Sequence, residues 1–265
     1  VFNLSAVRSF SLPEFSSPIS FATGFEARRE GYNLFAGEPD SYRFGGEKLA
    51  NGSPTAPGAQ VFPGFTPANA SDNSRSAIGA YVDVEANLTK AWQASAAIRA
   101  EHYSDFGNNV TGKISTRYDF NKEFGLRGSV QNGFRAPSPQ QQFFTSTATN
   151  FINGVPFEIT TFKPSDPAAI ALGAKPLDAE KSFNQSLGAV FSLGKLGITV
   201  DAYRIELSNR IVLSENLTAA NVRNYLTAQG FVGIGGGRFF INGVDTTTQG
   251  LDIVSNWPML TESSG

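Results

Sequence analysis

Apolar and polar residues alternate one for one through long stretches of this chain, and a period of two dictates strands rather than helices. From Ile78 to Leu88 the apolar set is Ile78, Ala80, Val82, Val84, Ala86 and Leu88, interleaved with Tyr81, Asp83, Glu85 and Asn87. Trp92, Ala94, Ala96, Ile98 and Ala100 then alternate with Gln93, Ser95, Arg99 and Glu101. Ile114, Thr116, Tyr118 and Phe120 alternate with Lys113, Ser115, Arg117 and Asp119, and Leu126, Val130 and Phe134 with Arg127, Gln131 and Arg135. Successive side chains of a strand point to opposite faces, so each run carries one apolar and one charged face. The expected fold class is all-β.

About nine strands are expected, near residues 1–10, 18–30, 76–88, 91–104, 110–120, 124–135, 180–193, 196–208 and 247–257. Residues 11–17, 89–90, 121–123 and 194–195 make short turns. Residues 31–75, 105–109, 136–179 and 209–246 make the other set of connections, three of them long. The two sets alternate strictly, as they do when antiparallel strands cross a membrane with tight turns on one side and large loops on the other. The 14 prolines fall in loops, turns or strand ends, and none interrupts an expected strand. Near Ala202-Tyr203 the apolar phase changes, which points to a bulge or to a strand leaving the membrane.

Composition narrows the partners. Charged residues make up 17% of the chain, below the roughly 25% of an ordinary soluble domain. A net charge of -2 gives no support for a nucleic-acid partner, which would usually need a basic face, and none is expected. With no cysteine, disulfides and Cys-based zinc sites are excluded. His102 stands alone, so no metal site and no cofactor are expected. No apolar run approaches the roughly 18 residues of a transmembrane helix, but strands hide their hydrophobicity in alternation. The first residues, Val1-Phe2-Asn3-Leu4, do not form a basic and apolar leader, so an exported chain is expected to be a mature chain or a piece of one. The run Gly233-Ile234-Gly235-Gly236-Gly237 lacks the Lys-Ser/Thr ending of a phosphate loop and reads as a flexible loop tip. Asp83 and Glu85 share a face as a glycosidase pair would, but such acids repeat along the chain without focus, and no enzyme activity is expected.

Four short motifs give the pattern a family. Asn132-Gly133-Phe134-Arg135-Ala136-Pro137-Ser138 closes a strand and opens a long loop. Upstream stands Arg99-Ala100-Glu101-His102-Tyr103-Ser104-Asp105-Phe106-Gly107. Downstream are Asp201-Ala202-Tyr203-Arg204-Ile205-Glu206 with Asn209-Arg210-Ile211, and Gln249-Gly250-Leu251-Asp252. In this order, over about residues 99–254, they resemble the barrel portion of TonB-dependent receptors, while residues 1–98 fit by pattern only. The resemblance implies an antiparallel transmembrane β-barrel of about 22 strands around a plug domain. It also implies a bacterial outer-membrane location, a small-molecule ligand such as a siderophore, and import driven by the TonB complex of the inner membrane. Residues 1–265 would form a partial barrel domain without plug, TonB box or final aromatic strand. The chain is thus expected to be an internal fragment, a receptor represented only in part, or one piece of a split barrel.

Within that frame Glu26, Arg28, Asp83, Glu85, Arg99, Glu101, Arg117, Asp119, Arg127 and Gln131 are expected to line the lumen, paired across strands or facing the plug. Tyr32, Tyr42, Phe62, Arg135, Phe143, Phe144, Tyr225 and Phe239 are the ligand candidates, because aromatic rings offer broad rigid surfaces to a chelate. The same rings could instead pack loop on loop. A siderophore-iron complex, cobalamin or a saccharide is the expected nutrient. The rival readings are a passive porin and, from another class, a soluble β-sandwich adhesin.

Overall fold

The computed structural model describes residues 1–52, 55–59, 63–152, 155–231 and 234–258, with backbone alone at 149–152 and 155–157. Eleven strands form one sheet. They are β1 (Phe2–Phe10), β2 (Ile19–Leu34), β3 (Ser71–Asn87), β4 (Trp92–Tyr103), β5 (Gly107–Asp119) and β6 (Phe124–Arg135), then β7 (Ser146–Ile152), β8 (Val155–Phe162), β9 (Glu180–Leu193), β10 (Leu196–Leu213) and β11 (Gly236–Asn256). The order is β1-β2-β3-β4-β5-β6-β9-β10-β11-β8-β7, and every junction is antiparallel except β11–β8. Each expected strand is present.

The pair β7 and β8 lies inside the 136–179 connection, where the sequence pointed to loop. The dipeptide Asn153-Gly154 between the two runs is a hairpin signal. Pro156 weighs against a strand, yet it belongs to β8. It is tolerated there because β8 meets β11 only from Ile159 to Phe162, leaving β7 as the sole neighbour beside the proline.

Register sorts the side chains into two faces. Val82 pairs with Ile98, Ile114 with Val130, and Leu187 with Ala202, itself opposite Leu251. Ile114 is 68% and Leu187 64% exposed, so no second layer covers this apolar face among the described residues. That excludes the two-sheet sandwich, in which such side chains would be buried. An apolar face this broad fits hydrocarbon. At its short-turn end lies a row of rings: Phe10 beside Phe21, then Tyr118, Phe120, Phe124 and Phe191 with successive centroids 4.9, 5.3 and 5.2 Å apart. Trp92 joins them, its indole N–H donating to Thr116 Oγ1 at 2.7 Å. Trp and Tyr, apolar at one end and polar at the other, collect at the lipid–water boundary for this reason.

At the opposite end, β2, β3, β10 and β11 run beyond their expected limits. Ser71-Asp72-Asn73-Ser74-Arg75 continues β3 up to the pair Leu34–Ser71 although it carries no apolar side chain. Alternation stops once the outer face clears hydrocarbon, while the backbone ladder goes on satisfying its own N–H and C=O groups. The phase change at Ala202-Tyr203 has the same origin. Pairing of β9 with β10 is unbroken from Leu196 to Ser208, so no bulge sits there. The irregularity comes later, between Leu207 and Ile211 opposite β11, where Asn209 adopts φ 57° and donates its backbone N–H to Asp245 Oδ1.

The buried apolar core lies at the long-loop end. There α2 (Pro167–Ala171) and α3 (Ala220–Ala228) cover the tip of β11 and β8, burying Phe162, Ala168, Ala169, Ala174, Leu226 and Phe239. Gly236 and Gly237 open β11 within this cap rather than forming a loop tip. A Cβ on Gly237 would fall 2.4 Å from the Phe162 ring, so the close approach of strand and ring requires glycine.

Candidate functional site

The charged face and its long-loop end form the candidate site. All ten wall residues named from the sequence share this face. Glu26 and Glu101 flank Gly79, Asp83 pairs with Ala97 and hence Lys113 and Gln131, Glu85 pairs with Ser95, Arg28 with Ala77, and Arg117 with Arg127. Pairing dominates among them. Arg99 binds Glu101 and also Glu26, the latter at 3.4 Å across β3. Arg117 meets Asp119 at 2.9 Å, and the Gln93 amide donates to Glu85 at 2.6 Å. Asp83 and Lys113 have no charged partner among the described residues.

The Arg127 guanidinium donates two hydrogen bonds, at 2.9 and 2.5 Å, to the Asp201 carboxylate. These residues stand on β6 and β10, with β9 between them. Both pair with Gly188, where a Cβ would lie 2.0 Å from Asp201 Oδ1 and 3.0 Å from Arg127 Nε. Only a glycine leaves room for the bridge. The sequence placed Arg127 on the charged face and gave Asp201 only as part of a motif, although Asp201 follows the same alternation.

Toward the long loops the pairs join into a hub. Tyr103 Oη donates to Glu101 at 2.8 Å and accepts from Arg28 at 3.2 Å, and Arg28 Nε lies 3.6 Å from Glu30. Arg75 is 7% exposed. It donates to Glu30 Oε2 and to the Pro137 carbonyl, both at 2.5 Å, and lies 3.6 Å from Asp105 with its guanidinium over the Tyr103 ring. Alternation missed Arg75 because its neighbours are uniformly polar.

The wall changes here. Pairing of β5 with β6 ends at Lys113–Gln131. Beyond it the Asn132 carboxamide replaces the ladder, accepting from Gly112 N at 2.7 Å and donating to Val110 O at 3.0 Å. On the outward face beside this gap lies a hollow of about 610 Å³ bordered by Asn108, Asn132, Lys181 and Glu206, which follow the register of the apolar set. The end of β6 leans over the tight β4–β5 turn, so that Phe134 meets Tyr103 and Phe106 at 5.9 and 6.4 Å. The chain then turns into α1 (Pro139–Phe143), which lies against the ends of β2 and β3. Ser138 caps this helix, accepting from Gln141 N at 3.1 Å.

The sequence-derived ligand candidates that the structure describes are spread over the long-loop end. Tyr32 lies on the extension of β2, in register with Asn73, where partial burial raises its phenol pKa. Phe143 and Phe144 end α1, and Phe144 packs edge-on against Phe65 at 6.1 Å, joining two loops. Tyr42 is half-buried after a short 3-10 turn, Pro39–Ser41. Tyr225 and Phe239 belong to the cap. Tyr225 is 46% exposed, whereas Phe239 is 4% exposed and is a packing residue with no free face for a ligand. Arg135, with its side chain 65% exposed, is held at 2.6 Å by Glu180, which also accepts from Ile211 N at 2.7 Å. Phe62 lies outside the described residues. His102 Nδ1 is 2.7 Å from Asn108 Oδ1.

An unclosed antiparallel sheet with one oily and one charged face, its connections sorted by length between its two ends, is a stretch of transmembrane β-barrel wall. Residues 7–264 match the family described as TonB dependent receptor-like, beta-barrel, and the chain belongs to that family. It is 27% identical over 158 residues to the ferric enterobactin receptor PirA of Pseudomonas aeruginosa, covering 58% of this chain and 20% of that protein. To the vitamin B12 transporter BtuB of Vibrio cholerae it is 26% identical over 163 residues, covering 62% and 22%. The chain thus spans about a fifth of the length of these relatives. They are receptors and transporters, not enzymes. In fold, it resembles the siderophore receptor PirA of Pseudomonas aeruginosa (TM-score 0.60, 16% identity, 95% of this chain, 38% of the other). It also resembles the siderophore receptor PirA of Acinetobacter baumannii (TM-score 0.62, 17% identity, 97% and 34%).

Proposed function

We propose that this chain is part of the wall and outer mouth of a bacterial outer-membrane receptor that imports a scarce, bulky nutrient. Siderophore–iron, cobalamin and saccharides are the candidate classes, the first two favoured by the relatives that share its sequence. The apolar face contacts lipid. The charged face lines a lumen holding a plug domain supplied outside residues 1–265, and the plug couples to the TonB complex. The connections 31–75, 136–179 and 209–246 face outward and capture ligand, with Tyr32, Tyr42, Arg135, Phe143, Phe144 and Tyr225 as contacts. The observation that carries this reading is the two-faced sheet with all its elaborated connections at one end. A passive pore would need the same wall but no energy source.

The test is uptake by the bacterium that encodes the chain. Radiolabelled ferric siderophore, cobalamin and oligosaccharide are each supplied to wild-type cells, to cells lacking the receptor, and to cells lacking TonB. Import of one probe is expected to fall to background in both mutants. Uptake that needs the receptor but not TonB, and that extends to many small solutes, would establish the porin instead.

A further inference from the structure

The segment after β6 does not rise straight from the strand that carries it. Pro137 is fully buried, and its carbonyl binds Arg75 on β3, with β4 and β5 lying between β3 and β6. The lean of Phe134 onto Tyr103, a charged-face residue, gives the direction of travel: across the inner side of the wall. Gln142 fastens the far end of the turn, its amide donating to Asp105 Oδ2 at 2.7 Å. Phe144 then meets Phe65 of the β2–β3 connection. Residues 137–144 therefore form a strap along the mouth.

We infer that Arg75 is the positioning residue that fixes the Pro137–Phe144 strap over the mouth of the lumen, setting the aperture through which a ligand reaches the bore. The inference rests on the import reading for the word lumen, but its geometry is independent of any ligand. Three features make Arg75 the anchor. Its side chain is almost wholly removed from water, so the charge-assisted bonds it makes are screened much less than those of an exposed pair. Its planar fork reaches Glu30 and the Pro137 carbonyl together, which the point charge of a lysine cannot do with the same spacing. It also joins three separate connections: the outer end of β2–β3, the β4–β5 turn through Asp105, and the start of the strap. Loss of its fork leaves the Pro137 carbonyl only a long bond from Gln142 at 3.4 Å and Glu30 only Arg28 at 3.6 Å, so the strap is expected to open to where water can replace it.

The experiment measures strap position directly in the full-length receptor, in outer-membrane vesicles. Residues 1–265 contain no cysteine, so once any cysteine elsewhere in the receptor is replaced by serine, cysteines introduced at Gln140 on the strap and Lys122 in the β5–β6 turn take nitroxide labels at defined places. A narrow distance distribution is expected for the parent. R75Q and R75K are each expected to broaden it about twofold or more, as the strap samples open positions. Barrel assembly, read from heat-modifiable gel migration, is expected to be unchanged. Q142A, which keeps the Arg75 fork and frees only the far end of the strap, is expected to broaden it by less than R75K does. If R75Q fails to assemble, R75K decides alone. An assembled R75K receptor with the parent's narrow distribution overturns the assignment, as does broadening by Q142A equal to that of R75K. Since no nutrient enters the measurement, failure of the import reading does not decide it.

Discussion

At the scale of single residues, the charged face is built from side chains that need their neighbours to be small. Gly188 is the sharpest case. G188V is expected to break the Arg127–Asp201 bridge and destabilise the barrel by about 1–3 kcal/mol, since a branched side chain would stand where the carboxylate lies. Much of that figure is overpacking, because the pair is half open to solvent and its Coulomb attraction is screened. G31A is the control, for a Cβ there meets nothing within 4 Å. Denaturant unfolding of the receptor in lipid vesicles checks both, and equal midpoints would remove the steric argument. The sequence made Arg127 legible as a wall residue but not its partner, which stands two strands away and depends on the register of β9. Arg75 was illegible for another reason. Among Ser71, Asp72, Asn73 and Ser74 nothing marks one polar residue as buried, and its burial comes from a segment more than sixty positions further along the chain.

At the scale of elements, the strands that cross the apolar band were legible because lipid and water enforce opposite chemistry on alternate residues. The two faces give a direct contrast. V84R and I98R put a cation into hydrocarbon and are expected to cost about 2–4 kcal/mol each near the midplane. S95R and S115R point to the charged face, where the two hydroxyls now hydrogen-bond to each other at 2.6 Å, and are expected to be tolerated. Assembly yield in the outer membrane reads this out, and equal yields for all four would reverse the inside–outside assignment. Where strands leave the band, that selection ends and so does the pattern. The ends of β2, β3, β10 and β11 were therefore read as loop. The hairpin β7–β8 was hidden likewise, since it pairs outside the band and its Asn-Gly signal stands next to a proline.

At the scale of the molecule, the chain has two mechanical parts. Among the described residues the wall is a single layer without a buried apolar cluster of its own, whereas the cap of β8, α2, α3 and the tip of β11 buries one. L226A, at a residue with 0% exposure, is expected to cost the cap about 2–4 kcal/mol while leaving the wall intact. Hydrogen exchange should then quicken at Ile159–Phe162 and Gly236–Phe239 but not in β3 or β4, and faster exchange throughout would mean that cap and wall unfold together. A cap with its own core presents Tyr225 from a firm base, and this is why aromatic content alone did not separate exposed rings from Phe239.

The bridge over β9 also bears on how such a sheet is put together. A slip of one residue turns every side chain to the wrong face and is rejected by lipid at once. A slip of two keeps oil to oil and charge to charge, so the alternation that organises the wall is blind to it. Gly188 is the one glycine in β9, and a slip of two would slide Ser186 or Val190 beneath the arginine. The ion pair thus acts as a proofreading mark, closing only when three neighbouring strands have been laid in their proper alignment.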